Sequence, residues 1–266
     1  MGKRLYAIGL VLTLITLIAA GCTSAAPIGG TPTTTSPQNL DLIRMQIEAG
    51  DFATAAQGLE GWIAQNSDDA EAHFLLGLAY FNTGNYDKAR AAFERTLALD
   101  PQRAAAVHHN LGALAYQLGE LETAVEEFKV ALEADSEDSD THYQLGATYL
   151  VMALPADSLP PDQTMVEQAQ AEFETALELS PGKAEALVGM GNVYLLQNQV
   201  QDAIKVLEQA VEENPAMPEA LFALGRTYAA AGQIEEAKQT LQRFLETNPP
   251  AAWAQQAQQL LDQMGE

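Results

Sequence analysis

Glycines recur through this chain at a nearly fixed interval, and no other feature restricts its fold as severely. Each follows a large apolar residue: Leu76-Gly77, Leu111-Gly112, Leu145-Gly146, Met190-Gly191 and Leu224-Gly225. The first two intervals and the last are 34 or 35 residues, and the third is 45. A tyrosine stands three residues after the glycine at Tyr80, Tyr149, Tyr194 and Tyr228; the second motif has Ala115 there and Tyr116 one residue later. Twelve residues after the glycine comes alanine, at Ala89, Ala124, Ala203 and Ala237. Four further on is a large apolar residue, Phe93, Phe128, Leu207 or Leu241, and prolines close units at Pro101, Pro181, Pro215 and Pro249. A period of this length marks a stack of similar supersecondary units.

Within one period the spacing is helical. Phe74, Leu75, Leu78 and Ala79 recur on one helix face; Asn82-Thr83-Gly84-Asn85 interrupts it; Tyr86, Ala89, Phe93 and Leu97 make a second apolar stripe. Small residues at Gly77 and Ala89 let two helix axes approach closely. Pro101 suits the first turn of the following element, where its missing N–H costs little. One helix pair cannot bury its stripes alone, but stacked neighbours can. The expected fold class is therefore all-α, an α-solenoid.

These positions over residues 70–251 resemble the tetratricopeptide repeat, TPR. The resemblance implies antiparallel helix pairs stacked into a right-handed superhelix with a concave groove. The units read as 70–103, 105–138, 139–183, 184–217 and 218–251, within a repeat region of 39–264. Residues 36–69 fit as a degenerate first unit: Gly50-Asp51-Phe52-Ala53-Thr54-Ala55 repeats Gly84-Asn85-Tyr86-Asp87-Lys88-Ala89, with Leu59 at the Phe93 position and Trp62 in the core. Its first helix has Ile43 where glycine is expected and Gln46 where tyrosine is expected. Residues 251–264 read as a capping helix, with Trp253, Ala257, Leu260, Leu261 and Met264 on one stripe and glutamines opposite. The 139–183 unit carries 11 extra residues, assigned to a turn insertion over 154–164. Two readings stand for it: a tolerated surface loop, or a loop that contacts a partner, since its Leu154 and Leu159 are apolar.

The N-terminus has a different character. Lys3 and Arg4 precede an apolar run from Leu5 to Ala20, and small residues lead to Cys22, the only cysteine. That is the layout of a secretory signal. The 16-residue run is short of the ~20 that span a bilayer. It resembles the bacterial lipobox, with Ala19 where that family usually has leucine. The resemblance implies cleavage of residues 1–21 and lipid attachment at Cys22, hence an exported, membrane-anchored lipoprotein. The Thr-, Pro-, Ser- and Gly-rich segment 22–38 reads as a disordered tether.

The net charge of −23 repels nucleic acid and anionic lipid surfaces, whose recognition depends on Lys and Arg. No nucleic-acid partner is expected, and any membrane attachment comes from the lipid. His73, His108 and His142 share one repeat position, but equivalent positions in stacked pairs lie on the order of 10 Å apart, whereas zinc needs nitrogens within ~2.1 Å. The acidic run 135–140 lacks the turn glycine and later glutamate of a calcium loop. No phosphate-loop, zinc-protease or nucleophile-elbow motif occurs. The expectation is a non-enzymatic protein with no cofactor, metal or small-molecule substrate.

By resemblance, the groove is lined by first-helix residues: Phe74, Leu78, Phe81, His109, Ala113, Tyr116, Tyr143, Ala147, Leu150, Val188, Asn192, Leu195, Phe222 and Arg226. Glu71, Asp140, Glu185 and Glu219 form an acidic margin. Such a lining suits an extended or helical apolar peptide flanked by basic residues. The carboxylate clamp of the family's chaperone-binding members is not rebuilt by Asn192 and Arg226 alone. The functional expectation is a lipid-anchored scaffold binding protein or peptide partners at the cell envelope; the alternative is an envelope chaperone or adaptor handing clients to a separate enzyme.

Overall fold

A computed structural model describes residues 40–154 and 160–265; the Cys22 and Leu159 assignments fall outside them. Among the described residues there are thirteen α-helices and no strand. They divide at Ser136/Glu137 into two compact units. The N-terminal unit holds α1 (Leu40–Glu48), α2 (Phe52–Ile63), α3 (Ala70–Asn82), α4 (Tyr86–Leu99), α5 (Ala104–Gln117) and α6 (Leu121–Ala134). The C-terminal unit holds α7 (Ser139–Met152), α8 (Gln163–Leu179), α9 (Ala184–Leu196), α10 (Val200–Glu213), α11 (Pro218–Ala231), α12 (Ile234–Glu246) and α13 (Ala251–Gly265). In both, each first helix packs on the second helix of its own pair, and successive pairs stack.

The recurrent glycine has a steric cause. A Cβ at Gly77 would lie 2.5 Å from the Phe93 ring, one at Gly112 would lie 2.7 Å from Phe128, and one at Gly146 would lie 2.9 Å from Phe173. At Gly191 and Gly225 the opposing side chains are Leu207 and Leu241, at 2.6 and 2.8 Å. Each opposing residue is at most 1% exposed, so each contributes roughly 1.5–3 kcal/mol by burial. Glycine on one helix makes the hole and the large residue of its partner fills it. Ile43, at the glycine position of the degenerate first pair, and Leu59 are both fully buried.

The pairs differ in how their two helices meet solvent. In α9, Ala184, Ala186–Val193 and Leu195 are all buried, because a first helix packs on both its own partner and the adjacent pair. The second helices α10 and α12 keep one buried stripe, such as Ala203, Leu207 and Ala210, and a charged face in water. Four α-helix starts are capped by aspartates, among them Asp69, which accepts from the Ala72 N–H at 3.0 Å, and Asp162, which accepts from the Thr164 N–H at 2.9 Å, each satisfying an otherwise unpaired donor. The turn after a first helix reverses through a left-handed residue, Gly84, Gly119 or Gly232; at the same position after α9 it is Asn198, with φ of 61°.

The 11-residue excess is distributed rather than looped out as one piece. Most of it lies between α7 and α8, but Gln163 and Thr164 open α8, which at 17 residues exceeds the other second helices. The Asp162 N–H donates to the Ala153 carbonyl at 3.0 Å, closing the base of the connection. Leu154 is 4% exposed, so it belongs to the core and is not the exposed contact residue that the partner-loop reading requires.

Candidate partner-binding site

The groove candidates fall on both units, and the two sets differ. In the N-terminal unit, Phe74, Leu78, Phe81, His109, Ala113 and Tyr116 are half-buried. Phe74 meets the Phe93 ring at 5.9 Å between centroids and lies under the Arg103 guanidinium, while His109 approaches Phe128 edge-on. Burial pushes the Tyr116 phenol up to about 12. The acid expected at the margin is engaged: Glu71 accepts from Arg44 at 2.8 Å and from Arg103 at 3.1 Å. This stretch presents apolar surface with its carboxylate largely neutralised.

In the C-terminal unit the candidates converge on a small pocket. Tyr143, Ala147 and Leu150 come from α7, Phe173 from α8, and Val188 and Asn192 from α9. Met217, immediately before α11, and two carboxylates, exposed Glu185 and half-buried Glu219, complete the lining. Tyr143 tilts on Phe173 at 6.1 Å, and the Lys183 ammonium sits 5.9 Å from the Tyr143 ring centre while pairing with Asp140. Asn192 is 4% exposed, and its Oδ1 has no hydrogen-bond partner. A buried acceptor left unsatisfied costs about 1–3 kcal/mol. The pocket thus offers apolar walls, one acceptor and negative charge.

Two groove assignments do not hold. Phe222 is 1% exposed and Arg226 3% exposed. The cause is α13: its Trp253 stacks on Phe222 at 5.4 Å and meets Phe244 at 6.2 Å. The capping helix therefore covers the last repeat's groove position. Arg226 lies 5.0 Å from the Phe222 ring, and burial pulls its guanidinium down to about 9, still protonated at neutral pH. Leu195, at 5% exposed, is about as buried as Leu150 and Asn192 but lies outside the pocket lining.

The histidines make no metal set; among the described residues no group of three or more His, Cys, Asp or Glu side chains comes together for an ion. His108 Nδ1 pairs with Glu127 Oε2, and His142 Nδ1 with Glu172 Oε2, both at 2.7 Å. His73 instead bonds the Ser67 carbonyl at 3.0 Å. The His–Glu pairs join the two helices of their repeats. They were legible in the sequence as a glutamate 19 residues after His108, repeated after His142 once the insertion is subtracted. Ala92 holds that register after His73. A second recurring bond joins neighbouring repeats: Tyr80 donates to Glu60, and Tyr228 to Glu208 at 2.5 Å. Burial, then the Glu60 contact, pushes the Tyr80 phenol up to about 12.

Paired helices, a glycine hole filled by a large apolar residue in five of the pairs and an apolar pocket on first-helix residues define a helical-repeat protein with a recognition surface. Tetratricopeptide-repeat models match residues 40–104 and 83–139, and again residues 162–209 and 195–261. The chain belongs to the tetratricopeptide-repeat family. Three solved structures share the fold. A thermophilic TPR protein of Thermus thermophilus is 24% identical, with TM-score 0.61, over 72% of this chain and 98% of its own. PilW, a type IV pilus biogenesis factor, is 18% identical, with TM-score 0.66, over 81% of this chain and 94% of its own. YrrB, described as a TPR protein with an unusual peptide-binding site, is 22% identical, with TM-score 0.53, over 77% of this chain and 99% of its own. No curated protein matches the sequence. TPR domains bind protein or peptide partners, and the fold is typically that of a non-enzymatic interaction scaffold.

Proposed function

We propose that this protein is a lipid-anchored, non-enzymatic scaffold of the bacterial cell envelope that holds partner segments on its first-helix surface. The observation that carries the binding half is the Tyr143–Val188–Asn192 pocket, whose apolar walls and unsatisfied acceptor are features of a surface made to be covered. The anchoring half rests on sequence: the basic start, apolar run and single cysteine at Cys22. Multiple acyl chains would fasten the protein stably, and the strongly acidic surface would keep it off anionic lipid. Likeness to a pilus biogenesis factor and to a peptide-binding TPR protein agrees with this reading by analogy of layout.

Two measurements test it. A photo-crosslinking residue placed at Tyr116 or Tyr143 in cells should capture a defined partner in stoichiometric yield, whereas one at exposed Gln255 should not; capture from Gln255 alone defeats the groove assignment. Cys22→Ser should release the protein from the membrane fraction without changing its helical circular dichroism. Continued co-fractionation with membranes would defeat the lipid anchor.

A further inference from the structure

The last repeat shows what its own pocket position accepts. Glu71, Asp140, Glu185 and Glu219 occupy one register position in four of the first helices, with Ala106 there in α5, and α13 continues that register with Trp253, 34 residues after Glu219. Trp253 stacks on Phe222 with an interplanar angle of 23° and is 2% exposed. One repeat earlier, Val188 stands in the Phe222 position and Glu219 in the Trp253 position. A carboxylate cannot enter an apolar cavity without losing its hydration, at a cost no partner there offsets. The glutamate is therefore half-buried beside a cavity that its tryptophan counterpart fills. The same substitution, Glu for Trp, both leaves the pocket open and adds a negative charge to it.

We propose that this pocket receives one aromatic side chain of an extended partner segment, with a neighbouring lysine or arginine of that segment meeting Glu185 and Glu219. The proposal rests on the groove reading above and adds the chemistry of the partner. The aromatic ring replaces, from outside, the contact that Trp253 supplies to Phe222 from within. Asn192 Oδ1 accepts a hydrogen bond from the indole or backbone N–H of the incoming segment, which removes its unsatisfied state. Glu185 and Glu219 form no ion pair among the described residues, in contrast to Glu71 and to Asp140, which hold Arg44, Arg103 and Lys183. The two free carboxylates supply the charge complementarity that selects a basic segment and repels acidic ones.

The test is fluorescence anisotropy of a labelled, end-capped seven-residue peptide with a central tryptophan flanked by lysines, titrated with the full chain in detergent micelles. Two further peptides replace the tryptophan by alanine or the lysines by glutamates. The lysine–tryptophan peptide should bind, and both replacements should weaken binding at least tenfold. Val188→Phe, which installs the residue already present at positions 74 and 222, should fill the pocket and weaken binding at least tenfold. Glu219→Trp should do the same while raising the melting temperature, so loss of binding there is not loss of folding. Glu185→Gln with Glu219→Gln should flatten the salt dependence. Equal affinity for the tryptophan and alanine peptides, no binding at all, or unchanged binding to Val188→Phe overturns the proposal. If the peptide fails while crosslinking from Tyr143 still captures a partner, the pocket chemistry is refuted and the groove reading stands; if both fail, both are refuted.

Discussion

Alanine is ordinarily the better helix former, by up to ~1 kcal/mol over glycine, yet Gly77→Ala should destabilise this protein. The new Cβ would sit 2.5 Å from Cε1, 2.6 Å from Cδ1 and 2.9 Å from Cζ of Phe93. Normal carbon contacts begin near 3.5 Å, so the ring must retreat by about 1 Å. Phe93 is fully buried and has the Phe74 ring against it at 5.9 Å. It has no solvent to move into. Overpacking of this kind costs about 1–3 kcal/mol; set against a propensity gain of ~1 kcal/mol, the net loss should be up to about 2 kcal/mol. Trp62 packs on the same buried cluster as Phe93, and the chain has only two tryptophans. In a Trp253→Phe background, Trp62 fluorescence therefore reports urea unfolding of the N-terminal unit, where the midpoint should fall by up to about 1 M. A background of Phe93→Val supplies the control, since valine lacks all three clashing atoms. There the same Gly77→Ala change should become neutral or stabilising. If Gly77→Ala is neutral or stabilising with Phe93 intact, the glycine is not there to admit the ring and the packing argument fails.

Further expectations follow from single contacts. Trp253→Ala should cost about 3–5 kcal/mol in the C-terminal unit, because it removes a 2%-exposed ring stacked on Phe222; hydrogen exchange in α11 and α12 should rise, and unchanged protection would refute the capping role. Asn198→Gly should stabilise by about 0.5–1 kcal/mol, since φ of 61° strains any side chain; a lower melting temperature would show that the asparagine side chain is itself needed. The Tyr80 phenol, held up to about 12 by burial and Glu60, binds its proton more tightly in the folded state. Its contribution is full below the ordinary phenol value and is lost as pH rises through about 12. Tyr80→Phe should therefore flatten the alkaline loss of stability between about 10 and 12, and an unchanged profile would contradict the assignment.

The repeat could be read from the chain because its physical cause is local in register. Gly77 and Phe93 lie 16 residues apart, as do Gly112 and Phe128, Gly191 and Leu207, and Gly225 and Leu241, so a hole and its filler announce themselves by spacing. The insertion hid only Phe173, whose pairing with Gly146 is delayed by the extra residues. Helix boundaries around that insertion were less legible: Asp162 caps α8, so Gln163 and Thr164 join a helix rather than a loop. The His–Glu and Tyr–Glu bonds between helices also recur in register, but they join surface-compatible residues that hydrophobic periodicity does not distinguish.

Register places Phe74, His109, Tyr143, Val188 and Phe222 as equivalents, and a period cannot separate them further. What separates them is the neighbour each one meets. Phe222 meets an indole from α13 and is sealed, whereas Val188 lies beside Glu219, which cannot be buried without its hydration, and the space stays open. The unit, its period and the paired small and large residues that close the helix pairs are legible along the chain, because they depend on spacing alone. Which of the equivalent positions is covered by a ring and which borders a pocket emerges from the packing of one repeat on the next. Accessibility depends on the size and charge of the side chain that the adjacent repeat sets against it.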